Sequence, residues 1–165
     1  EEATALMMPL IKDRAALRRR AQAALKTLRY HRRADGSHLA AVGYCFGGLI
    51  ALELARDGAD LKAVVSFHGI LDNGGAKPAE ALKPAILVLH GSEDPIVPPP
   101  QVAAFMDEMR ASKADWQMVH YGGAVHAFTN PEAADHSFGT VYQEAADKRS
   151  WRLMAAHLAE AFSDR

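Results

Sequence analysis

The sequence predicts an α/β fold, a mainly parallel sheet flanked by helices. Three observations carry that expectation. Short apolar runs at Leu39–Tyr44 (LAAVGY), Leu61–Phe67 (LKAVVSF), Ala85–His90 (AILVLH) and Trp116–Tyr121 (WQMVHY) have the length of buried strands. Segments with apolar residues at helical spacing precede, separate and follow them. Strand and helix signals therefore alternate, as in βαβ units built on one sheet.

In chain order, the first element is a helix over about 5–30, with Leu10, Leu17, Ala21, Ala24, Leu25 and Leu28 on one stripe. Asp35-Gly36-Ser37 breaks it. The first strand ends in Gly43-Tyr44-Cys45-Phe46-Gly47-Gly48, and a helix follows over Leu49–Arg56, stopped by Asp57-Gly58. After the second strand, 72–84 is a Gly-, Ala- and Pro-containing connection. The third strand ends at Gly91-Ser92-Glu93-Asp94-Pro95. Pro98-Pro99-Pro100 fits only before or at the first turn of a helix, whose stripe is Val102, Phe105, Met106 and Met109. The fourth strand leads through Gly122-Gly123 to a loop carrying His126, and a last helix over about 143–162 places Trp151, Met154, Leu158 and Phe162 on its apolar face. Residues 1–165 contain no repeat, low-complexity tract or linker, and read as a single α/β domain or part of one.

Bulk properties narrow the function classes. A net charge of −1 argues against a nucleic-acid or membrane surface as the main partner. No apolar run approaches the roughly 20 residues of a membrane span. The single cysteine excludes an internal disulfide, which makes a reducing cytoplasm the expected location. Nine of the 19 Lys and Arg fall in residues 1–38, including Arg18-Arg19-Arg20. These read as a solvated helix face, with a polyanion site as the alternative. The chain opens on Glu1-Glu2 rather than Met, so the expectation is that its natural start is missing.

The chemistry concentrates at Gly43-x-Cys45-x-Gly47, between a strand and a helix. This is the form of a nucleophile elbow with Cys as the nucleophile. The turn strains the nucleophile's backbone, so Gly43 and Gly47 are expected to answer a need for little bulk on either side. It also sets Cys45 at a helix N-terminus, where the dipole and free N–H groups favour a thiolate. The Phe46 N–H is the expected oxyanion donor. Asp94 just past the third strand and His126 after the fourth complete the order nucleophile, acid, histidine, at strand C-terminal ends. Cys45, Asp94 and His126 are therefore the expected catalytic triad. Glu93 is the alternative acid, but neighbours on an extended segment point oppositely. His68 and His90 end buried strands and read as satisfied structural histidines. His31, His38, His120, His136 and His157 lack metal-like spacing, so no metal site is expected. Trp151 and the Met stripe read as core. Tyr44 and Phe128 either line the pocket or pack in the core.

VGYCFGG at 42–48, VSFHG at 65–69, VLHGSEDPIVPP at 88–99 and GGAVHAFTNPEA at 122–133 resemble the dienelactone hydrolase family, with the resemblance running from about residue 38 onward. It implies an α/β-hydrolase fold, Cys45, Asp94 and His126 as the triad, and hydrolysis of lactones and esters with no metal or organic cofactor. It also implies an N-terminal half, not evident here, carrying the first strands, a second oxyanion donor and an acid that controls the thiol. Without it the nucleophile strand would be an apolar unpaired edge, to be covered by more chain or by a partner such as a second copy. Thr129-Asn130 stands where dienelactone hydrolases proper would carry an arginine for the substrate carboxylate, which points to another ester or lactone. An acyl-thioester route would favour enol or aryl leaving groups, since an alkoxide leaves less readily than the thiolate. Two other classes compete: an inactive fold that binds a partner, and a thiol redox sensor, which no second cysteine supports.

Overall fold

The structure is a computed structural model describing residues 2–77 and 79–163. The expected N-terminal helix is two helices, α1 (Glu2–Lys12) and α2 (Arg14–Arg29). The sequence contains the reason. Asp13 closes α1 through its N–H to the Pro9 carbonyl at 2.9 Å, then caps α2 by accepting from the Ala16 N–H at 2.9 Å. Then follow β1 (Ala40–Tyr44), α3 (Phe46–Arg56), β2 (Ala63–Phe67), β3 (Ala85–Gly91), α4 (Pro99–Ala111), β4 (Trp116–Tyr121), the two-residue strands β5 (Ala134–Asp135) and β6 (Thr140–Val141), and α5 (Glu144–Phe162). Helix α3 begins at Phe46, three residues before the expected start, so Cys45 is its N-cap.

The four long strands form one parallel sheet in the order β1-β2-β3-β4. β1 lies at an edge, where Val42 and Tyr44 are exposed. Both faces are covered, which is why β2 and β3 are buried almost end to end and mostly apolar rather than alternating. Val64, Ile86 and Val88 join one core with Ala21 of α2, Leu52 and Ala55 of α3 and Val102, Phe105 and Met109 of α4. Their alternates Val65, Phe67, Leu87 and Leu89 join a second core with Phe128 and with Ala146 and Met154 of α5. Phe128 is thus fully buried, a core residue rather than part of a pocket wall.

The basic N-terminal segment is not wholly a solvated face. Arg19 and Arg20 are exposed, but Arg18 Nε donates to the buried Glu53 at 2.7 Å. Glu53 also accepts from Arg56, which forks onto Glu108 with Nε and Nη2 at 2.9 and 2.7 Å. Arg56 further donates to the Leu71 carbonyl at 2.7 Å. This buried network ties α2, α3 and α4 together. No helix among the described residues is long and apolar enough to cross a membrane.

Candidate active site

Three side chains named from the sequence meet at the C-terminal rim of the sheet. His126 Nε2 lies 3.1 Å from Cys45 Sγ, and His126 Nδ1 lies 2.8 Å from Asp94 Oδ2. His126 and Asp94 are buried, while Cys45 keeps partial exposure.

Each is delivered by a local device. Cys45 sits at φ 53 and ψ −117, a strained conformation for a residue with a Cβ, held by its N–H to the Phe67 carbonyl at 3.0 Å. The turn requires Gly43, since a Cβ there would lie 2.0 Å from the Gly47 carbonyl oxygen. Gly47 itself differs from expectation: a Cβ there meets nothing within 4 Å. The second crowded position is Gly48, where a Cβ would come within 2.5 Å of Ser66 Oγ, so α3 starts hard against the end of β2. Asp94 follows a tight turn closed by its N–H to Gly91, and its Oδ1 accepts from Ile96 N–H at 2.8 Å, leaving Oδ2 for His126. Glu93 is exposed and bonds Ser92 instead.

The His126 loop is pinned by two features the sequence reading passed over. Gly91 lacks a Cβ where one would lie 2.6 Å from the Ala124 carbonyl, so this loop lies directly on the end of β3. The β5–β6 hairpin then clamps His126 from outside: its N–H donates to Gly139 at 3.0 Å, and its carbonyl accepts from Val141 at 3.2 Å. The hairpin turn is written in Asp135-x-Ser137, where Asp135 Oδ1 accepts from the Ser137 and Phe138 N–H groups.

The electrostatics set the proton's place. The hydrogen bond from His126 lowers the Cys45 thiol most, against burial, and the Phe46 N–H at the start of α3 adds to the lowering. Burial opposes the charge on His126, but Asp94 and the sulfur outweigh it and raise the imidazole to about 9. Burial likewise opposes the Asp94 carboxylate, and its bond to His126 still holds it below the ordinary range. Each group thus favours its charged form. The arrangement can hold a thiolate against an imidazolium, with a buried carboxylate behind.

Beside the sulfur lies an open cleft of about 530 Å³ lined by Tyr44, His68, Ala127, Thr129, Asn130, Pro131, Asp147 and Trp151. Tyr44 therefore faces the cleft, its ring stacked on Phe67 at 4.4 Å. Trp151 is 58% exposed and not core. The buried line of α5 runs through Ala146, Ser150 and Met154, and Trp151 lies one residue off it. His68 is not a satisfied histidine. Its Nε2 meets Thr129 Oγ1 at 2.9 Å, but its buried Nδ1 has no partner, and burial pushes the ring down to about 4. It is therefore neutral at pH 7, edge-on to His126 at 5.1 Å. His90 Nδ1 is unpartnered too, its ring pushed to about 4 by burial. Among the described residues no group of His, Cys, Asp and Glu could hold a metal ion.

Known proteins share this architecture. A sequence model of the dienelactone hydrolase family matches residues 1–162. An uncharacterized protein of Caenorhabditis elegans is 41% identical over 150 residues, which are 89% of this chain and 95% of that protein. A Bradyrhizobium protein named a probable 2-oxo-3-(5-oxofuran-2-ylidene)propanoate lactonase is 28% identical over 82% of this chain and 56% of its own. The crystal structure of a dienelactone hydrolase-like promiscuous phosphotriesterase from metagenomic libraries superposes with a TM-score of 0.91 at 45% identity, covering 97% of this chain and 67% of that one. A second solved protein, m3DLH, gives 0.89 at 44% identity over 95% of this chain and 66% of its own. The chain thus spans nearly all of the nematode protein, about half of the lactonase and about two thirds of the two solved chains.

Proposed function

Because the chain belongs to the dienelactone hydrolase family, we propose that it hydrolyses carboxylic esters and lactones, with Cys45 as nucleophile, His126 as general base and acid, and Asp94 as the group orienting His126. The observation that carries this reading is the continuous hydrogen-bonded chain from Asp94 through His126 to the sulfur.

The route starts from the thiolate. Its sulfur forms a bond to the carbonyl carbon, and the carbonyl π pair moves onto oxygen. The Phe46 N–H, which at the start of α3 already faces the sulfur, is the proposed donor to that oxyanion. The oxyanion collapses, the carbon–oxygen bond to the leaving group breaks, and His126 supplies the proton the leaving oxygen needs. Water then attacks the acyl-thioester as His126 takes its proton, releasing the acid and regenerating the thiolate. Collapse can expel either sulfur or oxygen. A phenolate or enolate competes with the stabilised thiolate far better than an alkoxide does, so activated esters and enol-lactones are the proposed substrates.

The test is hydrolysis of a phenyl ester by the protein and by Cys45→Ala. Turnover lost in the variant, with acyl transfer to Cys45 seen by mass spectrometry in the parent, supports the reading. Equal turnover in both refutes it. Phosphotriester hydrolysis at the same sulfur is a second reading, favoured by the 45% identical phosphotriesterase. An aryl phosphotriester in the same pair of assays tests it.

A further inference from the structure

The cleft beside Cys45 has walls whose chemistry the hydrolytic steps do not require. Tyr44 and Trp151 present aromatic surface, and Tyr44 is fixed by its stack on Phe67. Asp147 lies one turn before Trp151 on α5, so the two project on the same side of that helix. Tyr142 Oη donates to Asp147 Oδ2 at 3.1 Å, which fixes the carboxylate. After burial, the Asp147 charge is what holds the Tyr44 phenol above its ordinary value, so the negative field extends across the mouth. Apart from the Cys45 sulfur, the remaining walls, His68, Ala127, Thr129, Asn130 and Pro131, bring no charge at pH 7, and among the described residues no lysine or arginine lines the cleft. Of the α5 cations that flank these two residues in sequence, Lys148, Arg149 and Arg152, none lines the cleft, and Lys148 is exposed and paired with Glu144.

Two aromatic surfaces and one carboxylate around an open space form a site for a cationic group. The ring faces attract positive charge, the carboxylate adds to it, and nothing in the walls neutralises an anion. We propose that this cleft selects substrates carrying an ammonium group in the part of the ester that lies against Trp151 and Asp147, and disfavours substrates carrying a carboxylate there. As a statement about substrates it rests on the hydrolase reading. As a statement about the cleft it does not.

The test therefore has two arms. The first needs only an accessible sulfur. Cys45 is the one cysteine of the chain, and methanethiosulfonates transfer a thioalkyl group to its thiolate, forming a disulfide and releasing methanesulfinate. The rate with an ethyl-trimethylammonium reagent is compared with that of the ethylsulfonate reagent. In the parent the cation reacts faster. Asp147→Asn lowers the cation-to-anion ratio by about three- to tenfold, the effect of one nearby charge in partly screened water. Trp151→Ala lowers it less, and Asp107→Asn, which removes the same charge from the exposed side of α4, leaves it unchanged. The second arm compares phenyl esters of an acid ending in trimethylammonium or in the isosteric tert-butyl group. The cationic ester is expected to show the higher kcat/KM, with the advantage shrinking in Asp147→Asn.

A labelling ratio that depends on Asp147, with neither ester hydrolysed, keeps the cation site and removes the hydrolase reading. Ester hydrolysis without cation preference, with a labelling ratio indifferent to residue 147, overturns the cation site and keeps the hydrolase reading. Asp147→Lys gives the same decision from the opposite direction, because it should invert the labelling preference.

Discussion

The charge state of the Cys45–His126 pair can be tested by replacing the carboxylate behind it. Asp94→Asn keeps the size of the side chain, and its amide oxygen can still accept the Ile96 and Val97 N–H groups that hold the turn. The change falls on His126. Burial alone would lower this imidazole; Asp94 and Cys45 raise it from 6.5 to about 9. That net rise is worth about 3 kcal/mol in favour of the imidazolium. By sign, a raised histidine contributes stability that is fully present below its unfolded value and is lost as the pH climbs through about 9. The lowered thiol works the other way: the thiolate's contribution is lost as acid protonates it. The ion pair therefore occupies the window between the depressed thiol value and about 9.

An Asn amide can turn its NH2 toward His126 Nδ1, which makes Nδ1 an acceptor and leaves the proton on Nε2, facing the sulfur. In that tautomer the imidazole cannot take the thiol proton. A thiol near the ordinary value of about 8.5 is only about 3% ionised at pH 7, so Cys45 alkylation by iodoacetamide should slow, by at most about thirtyfold. Ester hydrolysis should fall further, on the order of 10³–10⁴, because the base is lost as well. The assay is the alkylation rate from pH 5 to 10, with circular dichroism to check folding. The parent profile should rise at lower pH than that of Asp94→Asn, which should climb through about pH 8 to 9. Equal rates and parallel profiles would refute the ion-pair argument.

Other consequences are open to direct measurement. A phenol and water differ by about six pKa units, and a sensitivity of about 0.4 per unit, as for thiol chemistry, gives phenyl over ethyl esters an advantage on the order of 10² in kcat; matched turnover of the two esters would remove the leaving-group argument. Gly43→Ala forces a Cβ to 2.0 Å from backbone and should cost several kcal/mol, about 3 or more, in urea unfolding. Gly47→Ala, with nothing within 4 Å, should instead change stability by at most about 1 kcal/mol, and a ranking of the two variants the other way round would contradict the elbow geometry. Arg56→Met takes from the buried Glu108 the guanidinium that pairs it, leaves Glu53 with Arg18, and should destabilise by about 3–5 kcal/mol, read as a lowered urea midpoint. A midpoint equal to the parent's would mean that the network is energetically idle.

How far the sequence could be read depended on the range of the interactions involved. The four strands and the helices α3 and α4 were legible because their apolar period is a local property and both faces of the sheet are covered. Cys45, Asp94 and His126 were legible because each follows a strand end, where a parallel sheet gathers such residues at one rim. The break at Asp13 was also local and could have been found, since Pro9 and an Asp cap announce it. Gly48 and Gly91 belong to another kind of fact: their lack of a Cβ matters only because Ser66 and Ala124, distant in sequence, arrive there. The Arg18–Glu53–Arg56–Glu108 network is of that kind too, since a charge run carries no sign of the buried carboxylates it will meet.

Trp151 shows why the walls of the cleft resisted the same reading. A helical stripe fixes which side of α5 faces the sheet only to within about one residue, or roughly 100° of rotation. Placing Trp151 with Met154 is a reasonable use of that stripe, and it is wrong by one position. The buried line is Ala146, Ser150 and Met154, where small residues let α5 close on β2 and β3, and a Trp has no room there. The indole turns instead toward the gap left between α5 and the loop from Ala127 to Pro131. If the proposed roles hold, reaction type and substrate choice are encoded at different ranges in this chain. The sulfur, imidazole and carboxylate come from strand ends that each segment specifies for itself. On the proposed reading, the surfaces that sort one ester from another come from how α5 and that loop settle on the finished sheet, so a substitution at Ser150 that tilts α5 should alter substrate preference while the Cys45–His126–Asp94 distances stay as they are.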